Sequence, residues 1–252
     1  MRVALEQAGV EVGRRAARIL LGERELTRLG LIGAKPSGKD PRVHPVSDLA
    51  DYDVVVTDAP DALDLVEAAL EAAVSCVVWG DGPELEAEYG ESFAEANVTL
   101  LTGANLAAGL APSLAVHEIA LGGVVMDTSI AWTEPGTPLR RGEAISFPDP
   151  VGPRWATERP SVHGFTAYAA PVEGDWAAAL ARVTSAGTEG VVTRVVGVAD
   201  LAAHLEALAL AAAVMAIDLY SPGAHRPADA AEIYLAKALE AGLGVATYTL
   251  TE

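Results

Sequence analysis

Over its first 120 residues the chain alternates short apolar runs with amphipathic stretches, and this alternation limits the possible folds more than any other feature. "RVALEQ" at 2–7 reads as a strand; "VGRRAARILLGE" after it reads as a helix, with Val12, Ala16, Ile19 and Leu20 at helical spacing. "LTRLGLIG" and "YDVVVTDAP" are further strands, the second a continuous β-branched run of the kind buried on both faces. "PDALDLVEAALEAAV" is a helix, with Pro60 before it and Asp61 as its expected N-cap. Strand "SCVVWG", helix "PELEAEYGESFAEAN", strand "VTLLTG" and helix "LAPSLAVHEIALGG" complete the series, the last ending on a glycine pair. Strands joined through helices by short connections give a parallel sheet covered by helices on both faces. Crossovers in such a sheet are right-handed.

The pattern changes near residue 124. "VVMDTSIAWTEPG", "EAISFP" and "GFTAYAAP" read as strands with no long helix between them, separated by turns such as "SFPDPVGPRW". "GDWAAALARVTSA" is expected as a helix and "GVVTRVVGV" as a strand. "DLAAHLEALALAAAVMAIDLYS" is a long helix apolar nearly all round, and such a helix is buried, either inside the second part or in a subunit interface. An amphipathic helix, "DAAEIYLAKALEAGLG", and a short strand, "VATYTL", close the chain. The expected organisation is an α/β domain at 1–123 and a smaller α+β domain at 124–252 that supplies substrate or oligomer contacts.

Charge narrows the partners. Lysine and arginine number 17 against 35 acidic residues, a net charge of −18, which argues against nucleic acid or an anionic membrane. The single cysteine, Cys76, excludes an internal disulfide and sits in a run that reads as a buried strand. Met1 runs into a strand after one arginine, without a signal peptide, so a cytoplasmic protein is expected. His44, His117, His163, His204 and His225 are scattered without metal-ligand spacing, so no metal site is expected.

The first strand–turn–helix has the layout that places a dinucleotide phosphate on a helix N-terminus, where free N–H groups and a partial positive charge face the ligand. Gly9 and Gly13 shape this turn, with Gly13 at the position that lets helix and strand pack closely; Gln7 and Val10 stand where further glycines are expected. Glu6 and Glu11 flank the turn and oppose a bound anion. The end of the second strand carries no carboxylate for ribose hydroxyls before Asp40; it carries Lys35, Ser37 and Lys39 in "KPSGK", which suits a 2′-phosphate and so NADP. Asn105 falls at a strand end facing the usual ligand cleft, where it can bond substrate. His163, in "ERPSVHGF", falls where a loop can face the same cleft, and imidazole suits a general acid.

With Gln7-Ala8-Gly9-Val10-Glu11-Val12-Gly13-Arg14 at its turn, the chain resembles the NAD(P)-binding Rossmann oxidoreductases grouped around dihydrodipicolinate reductase and the saccharopine dehydrogenase-like proteins. "DVVVTDAPDALDLVEAALEAAVSCVVWGDG" and "LLTGANLAAGLAPSLAVHEIAL" are similar to the family's later strands and helices; the resemblance covers residues 1–122. It implies hydride transfer between a nicotinamide dinucleotide and an imine or amino-acid-like small molecule; the long apolar helix, separately, suits a homo-oligomer. The resemblance further implies cofactor contacts at Ala8, Gly9, Val10, Val12, Gly13 and Arg14, at Asp58, Ala59 and Pro60, and at Gly80. The family's paired histidines and its K-x-D-x-P-S-G-T stretch are absent from the second part, so no catalytic residue is carried over. The alternative is a relative that keeps the fold, has lost the dinucleotide and serves a binding or assembly role.

Overall fold

A computed structural model describes residues 1–6, 11–34, 40–59, 62–80, 82–135, 144–146, 155–172, 174–188 and 190–251. Strand β1 (Arg2–Glu6) leads to helix α1 (Glu11–Gly22), which turns Val12, Gly13, Ala16, Ala17 and Leu20 inward, as the spacing of its apolar residues requires. Then follow β2 (Arg28–Ile32), β3 (Val43–Pro45), β4 (Val54–Thr57), α2 (Leu63–Glu71), β5 (Ser75–Val78), α3 (Pro83–Glu95) and β6 (Thr99–Leu101). All four residues of β4 are buried, as its unbroken β-branched run predicts for a strand covered on both faces. Cys76 is buried in β5, where burial pushes its thiol pKa up. Asp61, the expected cap of α2, lies outside the described residues.

A π-helical turn, Leu106–Leu110, opens into α4 (Ala111–Ala120), which ends on Gly122 and Gly123, both at positive φ. The chain then builds β7 (Val124–Pro135), β8 (Ala144–Ser146), β9 (Trp155–Val162), β10 (Phe165–Val172), β11 (Trp176–Gly187) and β12 (Gly190–Leu201). Helix α5 (Ala202–Ala216), β13 (Gly223–His225), α6 (Ala231–Glu240) and β14 (Ala246–Thr251) complete it.

The first sheet runs β13-β6-β5-β4-β1-β2-β3 and every pairing in it is parallel. Six of its strands follow the doubly wound order 3-2-1-4-5-6. The second sheet runs β14-β12-β11-β7-β10-β9-β8 and is antiparallel except where β10 joins β7. This is a Rossmann-type parallel domain with a smaller α+β layer.

Several details differ from the sequence reading: β3 and β9 are strands where none is expected, β9 taking in most of the "ERPSVHGF" loop. "GDWAAALARVTSA" forms not a helix but β11, a central strand paired on one side with β7 and on the other with β12. Ala177, Ala179 and Ala181 alternate into the core, and partners on both edges outweigh the helical preference of an alanine-rich run. The stretch 124–252 also does not stay in one layer: β13 pairs with β6 at the far edge of the first sheet. Helix α5 lies against α1 and α6 between the two sheets. Its apolar circumference is explained by this place, with Leu205, Leu208, Leu210 and Val214 essentially inaccessible.

One continuous core joins Val3, Leu5, Val54 and Val77 of the first sheet, through α1, α4, α5 and α6, to Ile130, Ala179 and Val198 of the second. The opposite face of the first sheet buries Val55, Cys76 and Leu100 under Val66 of α2 and Phe93 of α3.

Candidate functional site

Parallel strands ending together leave a crevice at their carboxyl ends, and α/β folds bind ligands there, at the point where strand order reverses. In this sheet that point lies between β1 and β4. Glu6 and Thr57, the last residues of these strands, are in register. The Thr57 hydroxyl donates to Glu6 Oε2 at 2.6 Å and accepts from the Ala59 N–H at 2.9 Å. Asp58, 3% exposed, turns towards the start of α1, where its Oδ2 accepts from the Gly13 N–H at 2.9 Å. A protein carboxylate therefore lies where the fold presents its helix N-terminus to phosphate. Glu11 in the same helical turn is bound by Arg15 Nε at 2.8 Å, and that pairing lowers the pKa of its carboxyl.

Three strands along, at the end of β6, lies a second polar group. Arg226, directly after β13, donates from Nε to Glu86 Oε1 at 2.8 Å, and the Thr102 hydroxyl donates to the same oxygen. Glu86 comes from α3 and is 23% exposed, against 19% for Arg226. Facing them from the second sheet is His163, in the tight turn between β9 and β10, with φ of 51°. Few residues other than glycine hold such a backbone, and it marks local strain. Its Nε2 is buried without a hydrogen-bond partner among the described residues. Burial and then the Arg226 charge lower its pKa, against the opposing pull of Asp229, the Ala108 backbone and Glu86. Both effects favour the uncharged imidazole.

Between these groups Glu206 rises from α5. Its Oε2 accepts from Trp79 Nε1 and from the Leu106 N–H, each at 3.0 Å, tying α5 to the segments that follow β5 and β6. Burial pushes the carboxyl up to about 6, against the lowering effect of those two hydrogen bonds.

The residues expected from sequence are placed unevenly. Gly13 and Asp58 meet; Ala59 lies beside them. The side chain of Val12 is in the core and that of Arg14 is exposed. The Gly80 carbonyl accepts from the Gly103 N–H at 2.8 Å. Both ends of the Asn105 amide are engaged: Nδ2 donates to the Trp79 carbonyl at 2.8 Å and Oδ1 accepts from the Ala108 N–H at 2.7 Å. His163 lies in the β9–β10 turn, near enough to Arg226 and Glu86 for their charges to act on its ring. Ala8, Gly9, Val10, Lys35, Ser37 and Pro60 lie outside the described residues. Sequence reasoning missed Glu86, Thr102, Arg226 and Glu206 as partners. Only Glu206 had a visible signal, as the one acid within an otherwise apolar helix.

The fold joins a Rossmann-type parallel sheet to a mixed sheet. Among solved structures the chain is similar to apo saccharopine dehydrogenase (L-Glu forming) from Saccharomyces cerevisiae. That match has a TM-score of 0.73 at 11% identity, over 99% of this chain and 100% of that one. It is also similar to an engineered D-amino acid dehydrogenase bound to NADP+, with a TM-score of 0.57 at 14% identity over 93% and 95% of the two chains. Dipicolinate-bound dihydrodipicolinate reductase from Paenisporosarcina sp. TG-14 matches with a TM-score of 0.55 at 10% identity, over 90% and 97%. At these identities the likeness establishes a shared fold. No protein-family model matches the sequence, and no curated protein matches it.

Proposed function

We propose that this protein is an oxidoreductase acting on an imine or amino-acid-like small molecule with a nicotinamide dinucleotide, NADP in preference to NAD. One observation carries the reading. The β9–β10 turn of the second sheet brings His163 within electrostatic reach of Arg226 and Glu86 at the end of β13 and the start of α3, in a two-sheet arrangement like that of dehydrogenases along nearly the whole chain. An imidazole whose Nε2 has no partner among the described residues, a guanidinium and a carboxylate can bind and orient a small polar substrate. NADP is supported by the NADP+ bound to the D-amino acid dehydrogenase, and by Lys35 and Ser37 with no acid at the end of β2. The acidity of the chain supports a role without nucleic acid or a membrane surface, and the lone cysteine supports a cytoplasmic one. Exposed Val124, Met126, Tyr248 and Leu250 support assembly into a homo-oligomer.

The second reading, a relative that has given up the dinucleotide, is favoured by Asp58. With its carboxylate on the Gly13 N–H, the described residues do not fit a pyrophosphate at that helix end. Titration with NADPH and NADH separates the two readings, followed by nicotinamide fluorescence and melting temperature. A bound cofactor raises stability by mass action, about 2.7 kcal/mol at a hundredfold excess over Kd. The absence of any shift at millimolar cofactor sinks the enzyme reading.

A further inference from the structure

The pyrophosphate position of this fold is the N-terminus of the helix after β1, and in this chain that position is taken by the protein itself. Asp58 is the residue directly after β4, so the parallel pairing of β1 with β4 carries it to the start of α1. Its carboxylate is almost inaccessible and its Oδ2 lies 2.9 Å from the Gly13 nitrogen. Gly13 is what permits this approach, since a Cβ there would lie 2.5 Å from the same oxygen. The glycine that would let a helix pack close beside a phosphate here admits a carboxylate. A carboxylate and a pyrophosphate seek the same N–H groups and the same dipole end, and two anions held that close repel strongly in a buried setting. Glu6, bound to the Thr57 hydroxyl at the adjoining strand end, adds a second negative charge.

We infer that Asp58 is an internal occupant of the pyrophosphate position and that it sets this chain's affinity for dinucleotides. A dinucleotide enters only by displacing the carboxylate from Gly13. The inference rests on the place of α1 in the fold and holds whichever of the two functional readings is right. Under the enzyme reading Asp58 weakens the cofactor; under the other it is the reason none is bound.

The test measures binding of NADPH, NADH and inorganic pyrophosphate to the whole chain, wild type and Asp58→Ala, by calorimetry and thermal shift. Asp58→Asn accompanies them, because it keeps the side chain's shape and its acceptor oxygen while removing the charge. Circular dichroism checks that each variant is folded. We expect Asp58→Ala to bind all three probes about tenfold or more tightly than wild type, with Asp58→Asn between them. Adenosine, which lacks phosphate, binds alike to all three proteins. Equal affinities for the phosphate-bearing probes, or no binding by either variant, overturn the inference. Turnover of an imine or amino-acid substrate by the wild type is a separate measurement, so failure of the enzyme reading leaves this result standing and is distinguishable from it.

Discussion

The carboxylate of Glu206 on α5 accepts a 3.0 Å hydrogen bond from the indole of Trp79, at the end of β5 in the first sheet. It is the one acid in α5, whose other residues are alanine, leucine, valine, His204 and Met215, and its burial raises its pKa from 4.5 to about 6. Below the unfolded value this group is protonated whether the chain is folded or not, and its contribution to stability is fully present. As pH rises through 6 the folded protein must ionise a buried carboxyl, and about 2 kcal/mol is lost. Glu206→Gln is therefore expected to gain on wild type, by about 2 kcal/mol, between pH 4 and pH 8. Urea unfolding of both proteins across that range checks it; two parallel pH curves contradict it.

His163 holds a positive φ of 51° in its turn, a backbone that a Cβ strains. Replacing it by glycine removes both ring and strain, whereas alanine removes only the ring. His163→Gly is expected to be more stable than His163→Ala by about 1 kcal/mol. If the imidazole contacts substrate as proposed, both variants lose a comparable share of kcat/KM. Thermal unfolding alongside steady-state kinetics separates the two effects.

Arg194 of β12 ties the second sheet to the end of α4. Its Nε donates to Glu118 Oε2 at 3.1 Å and its Nη2 to the Glu118 carbonyl at 3.1 Å. The Glu118 side chain is 7% exposed, so Arg194→Met leaves a buried charge without its partner, at a cost of roughly 3 kcal/mol. The double variant Arg194→Met with Glu118→Gln should recover much of that loss. A double-mutant cycle in urea measures the coupling, and simple additivity would show that the pair does not act as a unit.

Gly109 lies in the π-helical turn, packed against Gly103 and Pro227. A Cβ there would lie 2.4 Å from the Gly103 carbonyl oxygen and 3.1 Å from Pro227 Cγ. A backbone oxygen cannot swing aside as a side chain does, so Gly109→Ala should cost about 1–3 kcal/mol. The same change should disturb the Asn105 cap, since Asn105 Oδ1 is held by the adjacent Ala108 N–H. Amide exchange at Ala108 reports this directly, and unchanged protection there would contradict the expectation.

Local sequence determined much of this protein. The β-branched run of β4, the spaced apolar residues of α1 and the glycine pair after α4 each carry enough short-range information to place an element. Their alternation leaves little choice but a parallel sheet. The altered glycine turn and its flanking acids were legible too, because they break a strict pattern of residue types. Tertiary structure alone decided the rest. Whether "GDWAAALARVTSA" is helix or strand depends on β7 and β12, which occupy both its edges, and alanine periodicity carries no trace of those neighbours. Arg226 meets Glu86, 140 residues before it, because β13 returns to the edge of β6, and the β9–β10 turn brings His163 within reach of their charges. That Asp58 reaches the N–H of Gly13, 45 residues away, follows from the register of β1 against β4. Strand register arises from packing across the whole sheet, which is why residue types showed an acid near the turn and only the folded chain showed which N–H it occupies.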